Sequence, residues 1–412
     1  MIYTIKPLQN VSLSSVISSL NLVIMSARPI YLDCNATTPV DEKVLTAMLP
    51  YFTERFGNSS SVTHLYGWEG EAAAQKAREI IAAAINATPE EIVFTSGATE
   101  ANNLAIQGVA EAYFHKGQHI ITVATEHNAV LNPCRYLQSL GFEITVLPVQ
   151  EDGIIDLKQL RQALRDNTVL VSVMAVNNEI GVLQPLAEIG AICRENNIFL
   201  HTDAAQGIGK IPLDVQEMKV DLMSLTAHKI YGPKGVGALY MRRRNPRVQL
   251  APQQYGGEQE KGMRSGTLAI PQIVGFGKAV EIAVADQYQE NQRLVNLRDK
   301  LWLQISQLEK IYLNGHPILR LGGNLNVSIA GVDGVALLSG LQPVMAVSSG
   351  SACSSGKIST SHVLRALGQS LDLTHVSIRF GIGKYNTEEE INTVAAHFIS
   401  TVQSLRKQSN LV

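Results

Sequence analysis

The chain has 412 residues, 45% of them apolar, more than one ordinary hydrophobic core accommodates, so two domains are expected. Charged residues make up 17% and the formal net charge is −2, which excludes a disordered polyelectrolyte and argues against a nucleic-acid-binding surface. No uncharged apolar run reaches the about 18 residues of a membrane span, so no membrane partner is expected.

Residues 1–25 read as an extension ahead of the folded part, with Met25 an alternative start. Ser14, Ser15, Ser18, Ser19 and Asn21 interrupt its apolar residues, against the pattern of a secretion signal. From about 90 to 240, strand-like runs alternate with helix-like segments. The runs are 91–95, 119–123, 169–176, 198–202, 221–225 and 237–241; the helices fall at 99–115, 126–140, 156–166 and 186–197. Such alternation predicts an α/β fold with a mostly parallel sheet covered on both faces. Sites in such folds lie outside the carboxyl ends of the strands.

Beyond about residue 250 the pattern changes to a smaller α+β unit. A Gly-rich stretch, 255–267, precedes one long helical pattern from 271 to 310. Strands are expected at 324–329 and 376–380, and a Gly/Ser-rich loop at 348–357. Thr387 with Glu390 has capping-box spacing for a final helix.

Several segments carry residues suited to chemistry. Thr95-Ser96-Gly97-Ala98-Thr99-Glu100 is a strand-to-helix turn whose free N–H groups favour a phosphate, though a plain turn has the same pattern. His127, in Thr125-Glu126-His127, follows a strand end; it suits stacking on a flat ring and proton transfer, or merely capping a helix. Asp203, past the next strand end but one, is either a helix cap or the partner of a protonated ring nitrogen. Lys229 follows a further strand end inside Thr226-Ala227-His228-Lys229-Ile230-Tyr231-Gly232, a setting in which an amine forms a Schiff base. An aspartate and a lysine at successive strand ends are the pairing that pyridoxal phosphate requires. Arg379 inside a strand needs a partner, either a structural carboxylate or that of a substrate. Arg242-Arg243-Arg244 reads as a solvated turn.

The four cysteines, Cys34, Cys134, Cys193 and Cys353, form no Cys-x-x-Cys pair and no evident disulfide framework, so a reducing, cytoplasmic compartment is expected. Cys353 alone lies among small residues, Ser348-Ser349-Gly350-Ser351-Ala352-Cys353-Ser354-Ser355-Gly356, as an accessible nucleophile would. Cys34 is taken as structural.

Together these motifs resemble the class I cysteine desulfurases of the NifS/IscS type, within the aminotransferase class V group of fold type I. The resemblance runs from about Tyr31 to Leu405 and takes in Asn35-Ala36-Thr37-Thr38-Pro39, Asn177-Asn178-Glu179-Ile180-Gly181 and Arg264-Ser265-Gly266-Thr267. It implies a seven-stranded sheet in a large cofactor domain, 40–285, and a small domain of 26–39 and 286–412 carrying the Cys353 loop. Lys229 would hold pyridoxal phosphate, Asp203 would face the ring nitrogen and Gln206 the ring hydroxyl. Ala98, Thr99, Thr226 and His228 would bind the phosphate, and Thr267 would reach the phosphate of a second subunit, giving a homodimer. His127 would stack on the ring and move protons. Asn178 and Arg379 would hold the substrate carboxylate, with Asn35 at the substrate's edge.

The implied reaction converts L-cysteine to L-alanine, with Cys353 taking the sulfur as a persulfide and passing it to an acceptor such as an iron–sulfur scaffold. No metal is essential to it, although Cys353 could ligate an iron–sulfur cluster transiently. A selenocysteine lyase or another enzyme of this fold, and a silent sulfur-transfer scaffold, are the alternatives.

Overall fold

The computed structural model describes residues 28–349, 353–354, 357–358 and 360–409. The expected extension, residues 1–25, lies outside them, as does the side chain of Cys353.

The larger layer is a seven-stranded sheet. Its strands run, in spatial order, Ile92–Thr95, Gly237–Met241, Leu222–Thr226, Phe199–Asp203, Thr168–Ser172, His119–Val123 and Glu143–Leu147. Only Gly237–Met241 runs against both its neighbours. All five residues of each of five strands are buried, because helices cover both faces. That is why these strands show no alternation of apolar and polar residues, and why even His201, Thr202 and Asp203 are buried. Helices Ala98–Ala112, Asn128–Ser139 and Leu186–Glu195 fill the gaps between strands, as parallel crossovers require.

The smaller layer is a four-stranded antiparallel sheet of Ser348–Ser349, Ser377–Gly381, Asn324–Ile329 and Ile311–Leu313. Its core holds Leu32, Leu325, Val327, Phe380 and Phe398. Helix Glu388–Ser409 packs on it, and the expected capping box forms: Glu390 N–H donates to Thr387 Oγ1 at 3.2 Å and Thr387 N–H to Glu390 Oε2 at 3.1 Å.

Four expectations need correction. The pattern from 271 to 310 is two helices, Ile270–Ala285 and Gln287–Ile305, meeting at Asp286. The first buries Ile273, Phe276 and Val280 with the large sheet; the second buries Leu297, Leu301 and Ile305 with the small one. The apolar run 169–176 leaves the sheet after Ser172, since Val173 to Val176 are buried but not strand. Strand Glu143–Leu147 was not expected; as an edge strand it is half exposed and begins with a charge. Arg242 is not solvated: it is buried, donates to the Val215 and Val220 carbonyls, and pairs with Asp221.

Candidate active site

Five strands pointing the same way end at Thr95, Val123, Ser172, Asp203 and Thr226. Their common edge opens into a cavity of about 780 Å3. Its walls carry Asn35, Ala98, Thr99, His127, Asn178, Asp203, Gln206, Thr226, His228, Lys229 and Arg379. Of the two other nominated residues, one lies elsewhere and one has no described side chain. Thr267 borders a separate depression with Tyr255 and Ser265. Cys353 is described only as backbone, in a two-residue strand paired with Lys357–Ile358.

One end of the cavity is an anion cradle. Helix Ala98–Ala112 begins after Gly97, which has φ +152° and provides no side-chain cap. A Cβ at Gly97 would meet only Thr226 Oγ1 at 3.9 Å, an ordinary contact, so the φ of +152° rather than lack of space favours glycine there. The first-turn N–H groups therefore face the cavity beside Thr226 and His228. Glu100 pins the cradle from outside, accepting Ser96 N–H at 2.8 Å and pairing with Arg264 at 2.8 Å.

At the far end lies Asp203, buried at the last position of its strand. It accepts Asn102 Nδ2 at 2.7 Å and Ala205 N–H at 2.9 Å. A turn rather than a helix follows it, so Asp203 is not a helix cap.

Lys229 lies between these ends. Its Nζ donates to the carbonyls of Asn35 at 2.6 Å and Ala36 at 2.7 Å. Burial, with help from Lys210 and Arg379, lowers its pKa to about 7, so the amine is readily freed of its proton. The turn that receives it was underestimated from sequence. Asp33 to Thr38 also supplies the Asn35 carbonyl to Gln206 at 2.7 Å, Thr37 Oγ1 to His228 at 3.2 Å and Thr38 Oγ1 to Tyr231 N–H at 2.8 Å. Asp33 itself pairs with Arg379 at 2.7 Å.

Arg379 therefore has the structural partner that was one of its two readings. Its Nη1 donates to the Asn178 carbonyl at 3.0 Å, yet its buried Nε has no partner among the described residues. A guanidinium in the cavity wall, not fully used by its structural partners, suits a substrate carboxylate.

His127 caps helix Asn128–Ser139, its Nδ1 accepting Ala129 N–H at 3.0 Å. Burial lowers its pKa, against the raising influence of Asp203. The neutral ring then carries its proton on Nε2. So the capping role and a place in the cavity wall coexist in one residue.

Sequence reading assigned no role to four other residues near the cavity. Asn102 holds Asp203. Glu126 is wholly buried, accepts Met174 N–H, and is pushed well up in pKa by burial. Lys210 donates to Gln206 Oε1 at 3.0 Å and is lowered to about 8 by burial. Ser361 donates to Glu179 Oε2 at 2.5 Å, which ties the residues just after the Cys353 segment to the large domain. On the other side of that segment, Ser348 pairs with Arg379 in the small sheet. Glu126 was visible as a carboxylate beside His127; Asn102 had no signal beyond its place one turn into the cradle helix.

A parallel sheet with an anion cradle, an aspartate and a lysine at neighbouring strand ends is the frame of pyridoxal-phosphate enzymes of fold type I. Residues 30–394 match the family model described as aminotransferase class-V. The chain is 53% identical over 384 residues to "Cysteine desulfurase IscS" of Rickettsia typhi, covering 93% of each. A solved "NIFS-LIKE PROTEIN" superposes with a TM-score of 0.84 at 37% identity, covering 92% of this chain and all of that one. "SspA in complex with cysteine" superposes with a TM-score of 0.77 at 38% identity, over 87% of this chain and all of that one. The chain belongs to the aminotransferase class-V family, among its cysteine desulfurases.

Proposed function

We propose that the chain takes sulfur from L-cysteine, leaves L-alanine, and carries the sulfur as a persulfide on Cys353. The observation that carries this reading is the convergence of Lys229, Asp203, the uncapped helix start at Ala98 and Arg379 on one cavity. These residues fit pyridoxal phosphate: Lys229 would bind its aldehyde carbon, Asp203 its ring nitrogen, and Ala98, Thr99, Thr226 and His228 its phosphate. Bound there, the cofactor supplies an electron sink for a carbanion at the substrate Cα.

The chain's own groups do the rest. Arg379, steadied by Asp33, and Asn178 orient the substrate carboxylate. Lys229 Nζ, with its pKa near 7, removes the Cα proton and returns protons later. His127, neutral at Nδ1, offers an Nε2–H to the cavity. The Cys353 thiolate attacks the substrate sulfur: the new S–S bond forms as the substrate C–S bond breaks. The electron pair stays with the three-carbon fragment, which takes protons and leaves as alanine. Cysteine and one enzyme thiol thus give alanine and one persulfide, with no outside oxidant.

The same reading makes the protein a homodimer that acts in a reducing, cytoplasmic setting and gives its sulfur to an acceptor such as an iron–sulfur scaffold. In support of the dimer, Phe52, Phe56, Val62, Leu65, Tyr66 and Trp68 expose their side chains within a span of 17 residues (52 to 68). Thr267, lying away from its own chain's cavity, suits a role at a second subunit's phosphate. Sulfide release from cysteine in the presence of a small thiol tests the activity. Cys353→Ala is expected to abolish it, and sulfide release at the normal rate from that variant would contradict the reading.

A further inference from the structure

Two carboxylates are buried near one another, Asp203 in the cavity wall and Glu126 behind it. Asp203 is 5% exposed and Glu126 0%. A carboxylate buried this deeply needs hydrogen-bond partners, and the two are not equally supplied. Glu126 receives one backbone donor, Met174 N–H, on Oε1, and its Oε2 has no partner among the described residues. Asp203 receives one donor on each oxygen: Ala205 N–H on Oδ1 and Asn102 Nδ2 on Oδ2. Both oxygens of Asp203 are thus held by donors, whereas Glu126 is held by one oxygen alone.

The backbone donor from Ala205 is local to the turn. Asn102 is different, because it comes from another element, 101 positions away in sequence, and is fully buried. It sits in the helix whose first turn, Ala98 to Glu100, forms the anion cradle. One rigid helix therefore sets both the cradle and the direction of Asp203. Asn102 Oδ1 has no partner among the described residues, so the side chain is oriented by its bond to Asp203 alone.

We propose that Asn102 is a positioning residue: it keeps Asp203 aimed at the ring nitrogen of the cofactor, at a fixed distance from the phosphate cradle. The proposal rests on the reading that the cavity holds pyridoxal phosphate with Asp203 at that nitrogen. The charged or titratable groups that act on Asp203 are Glu126 and His127 beyond the neighbouring strand, and Lys229 across the cavity.

The test uses the purified holoenzyme and two variants, Asn102→Asp and Asn102→Leu. The first keeps the shape of the side chain, so it is the one expected to fold. A carboxyl group at 102 donates to Asp203 only while protonated. Asn102→Asp is therefore expected to hold pyridoxal phosphate nearly as tightly as the unaltered enzyme at low pH and about ten- to a hundred-fold more weakly by pH 8. The unaltered enzyme should show a flatter course over that range. Asn102→Leu, if it folds, should be weakened at every pH, with the cofactor's visible absorbance band shifted in its pH midpoint. Cofactor dissociation constants and that midpoint are the readouts, with thermal melting as the check on folding.

Equal affinity and an identical pH course in the unaltered enzyme and Asn102→Asp would overturn the proposal while leaving the cofactor reading intact. An unaltered enzyme that binds no pyridoxal phosphate would instead overturn the reading on which it rests.

Discussion

The Nζ of Lys229 lies 2.6 Å from the carbonyl oxygen of Asn35, 194 positions earlier in the chain. The catalytic amine is thus held by backbone from the turn Asp33 to Thr38, and that turn also touches Gln206, His228 and Arg379. The N-terminal part of the folded chain is thereby a working part of the site.

With burial bringing Lys229 to about 7, its amine is mostly protonated below that pH and free above it. The rate of Cα proton removal should therefore rise with pH through about 7 and fall about tenfold per unit below about 6. Exchange of the Cα hydrogen of alanine in deuterated buffer measures it. Lys229→Ala should lose it by at least about a thousand-fold.

Asp33 steadies Arg379 without facing the reaction. Asp33→Ala should raise KM for cysteine about tenfold and change kcat less than about threefold. Arg379→Ala should raise KM about a hundred-fold, since a charged clamp on the carboxylate is gone. Steady-state kinetics with cysteine checks both.

Lys210 is a half-buried ammonium whose polar partner is the neutral Gln206 oxygen. Its pKa is depressed from 10.5 to about 8 on folding, so the unfolded chain binds more protons between those values. The cost of burying the charge is full below about pH 8 and is relieved as pH rises towards 10.5. Lys210→Met should accordingly raise Tm by roughly 2–4 °C near pH 7, with the gain fading above pH 8. Melting curves across pH test the sign.

The exposed apolar side chains from Phe52 to Trp68 set the dimer prediction. Phe56 is 65% exposed. Phe56→Asp should shift the protein towards monomer in sedimentation at micromolar concentration, leaving its helical content unchanged.

The residues that could be found from sequence were those standing at the ends of apolar runs. Asp203 closes a buried strand and Lys229 and His127 each follow one, so the sheet's edge could be inferred before its order was known. What escaped were contacts that depend on two distant segments meeting. Asn102 was one polar residue in a helix, and nothing local marks it as a partner of Asp203. Asp33 looked like part of a turn, and its pairing with Arg379 spans 346 positions. Strand Glu143–Leu147 escaped because an edge strand need not be apolar, and the helix break at Asp286 because both flanking helices share one continuous pattern. The run at Arg242 misled because its buried guanidinium is satisfied by carbonyls brought from residues 215 and 220.

The central claim is that Cys353 accepts the sulfur. Intact-protein and peptide mass spectrometry after adding L-cysteine, without a reducing thiol, tests it most directly. A gain of about 32 Da, one sulfur atom, is expected on the peptide containing Cys353, with no such gain in Lys229→Ala. Active enzyme that releases alanine while Cys353 stays unmodified, or carries its sulfur on Cys34, Cys134 or Cys193 instead, would contradict it.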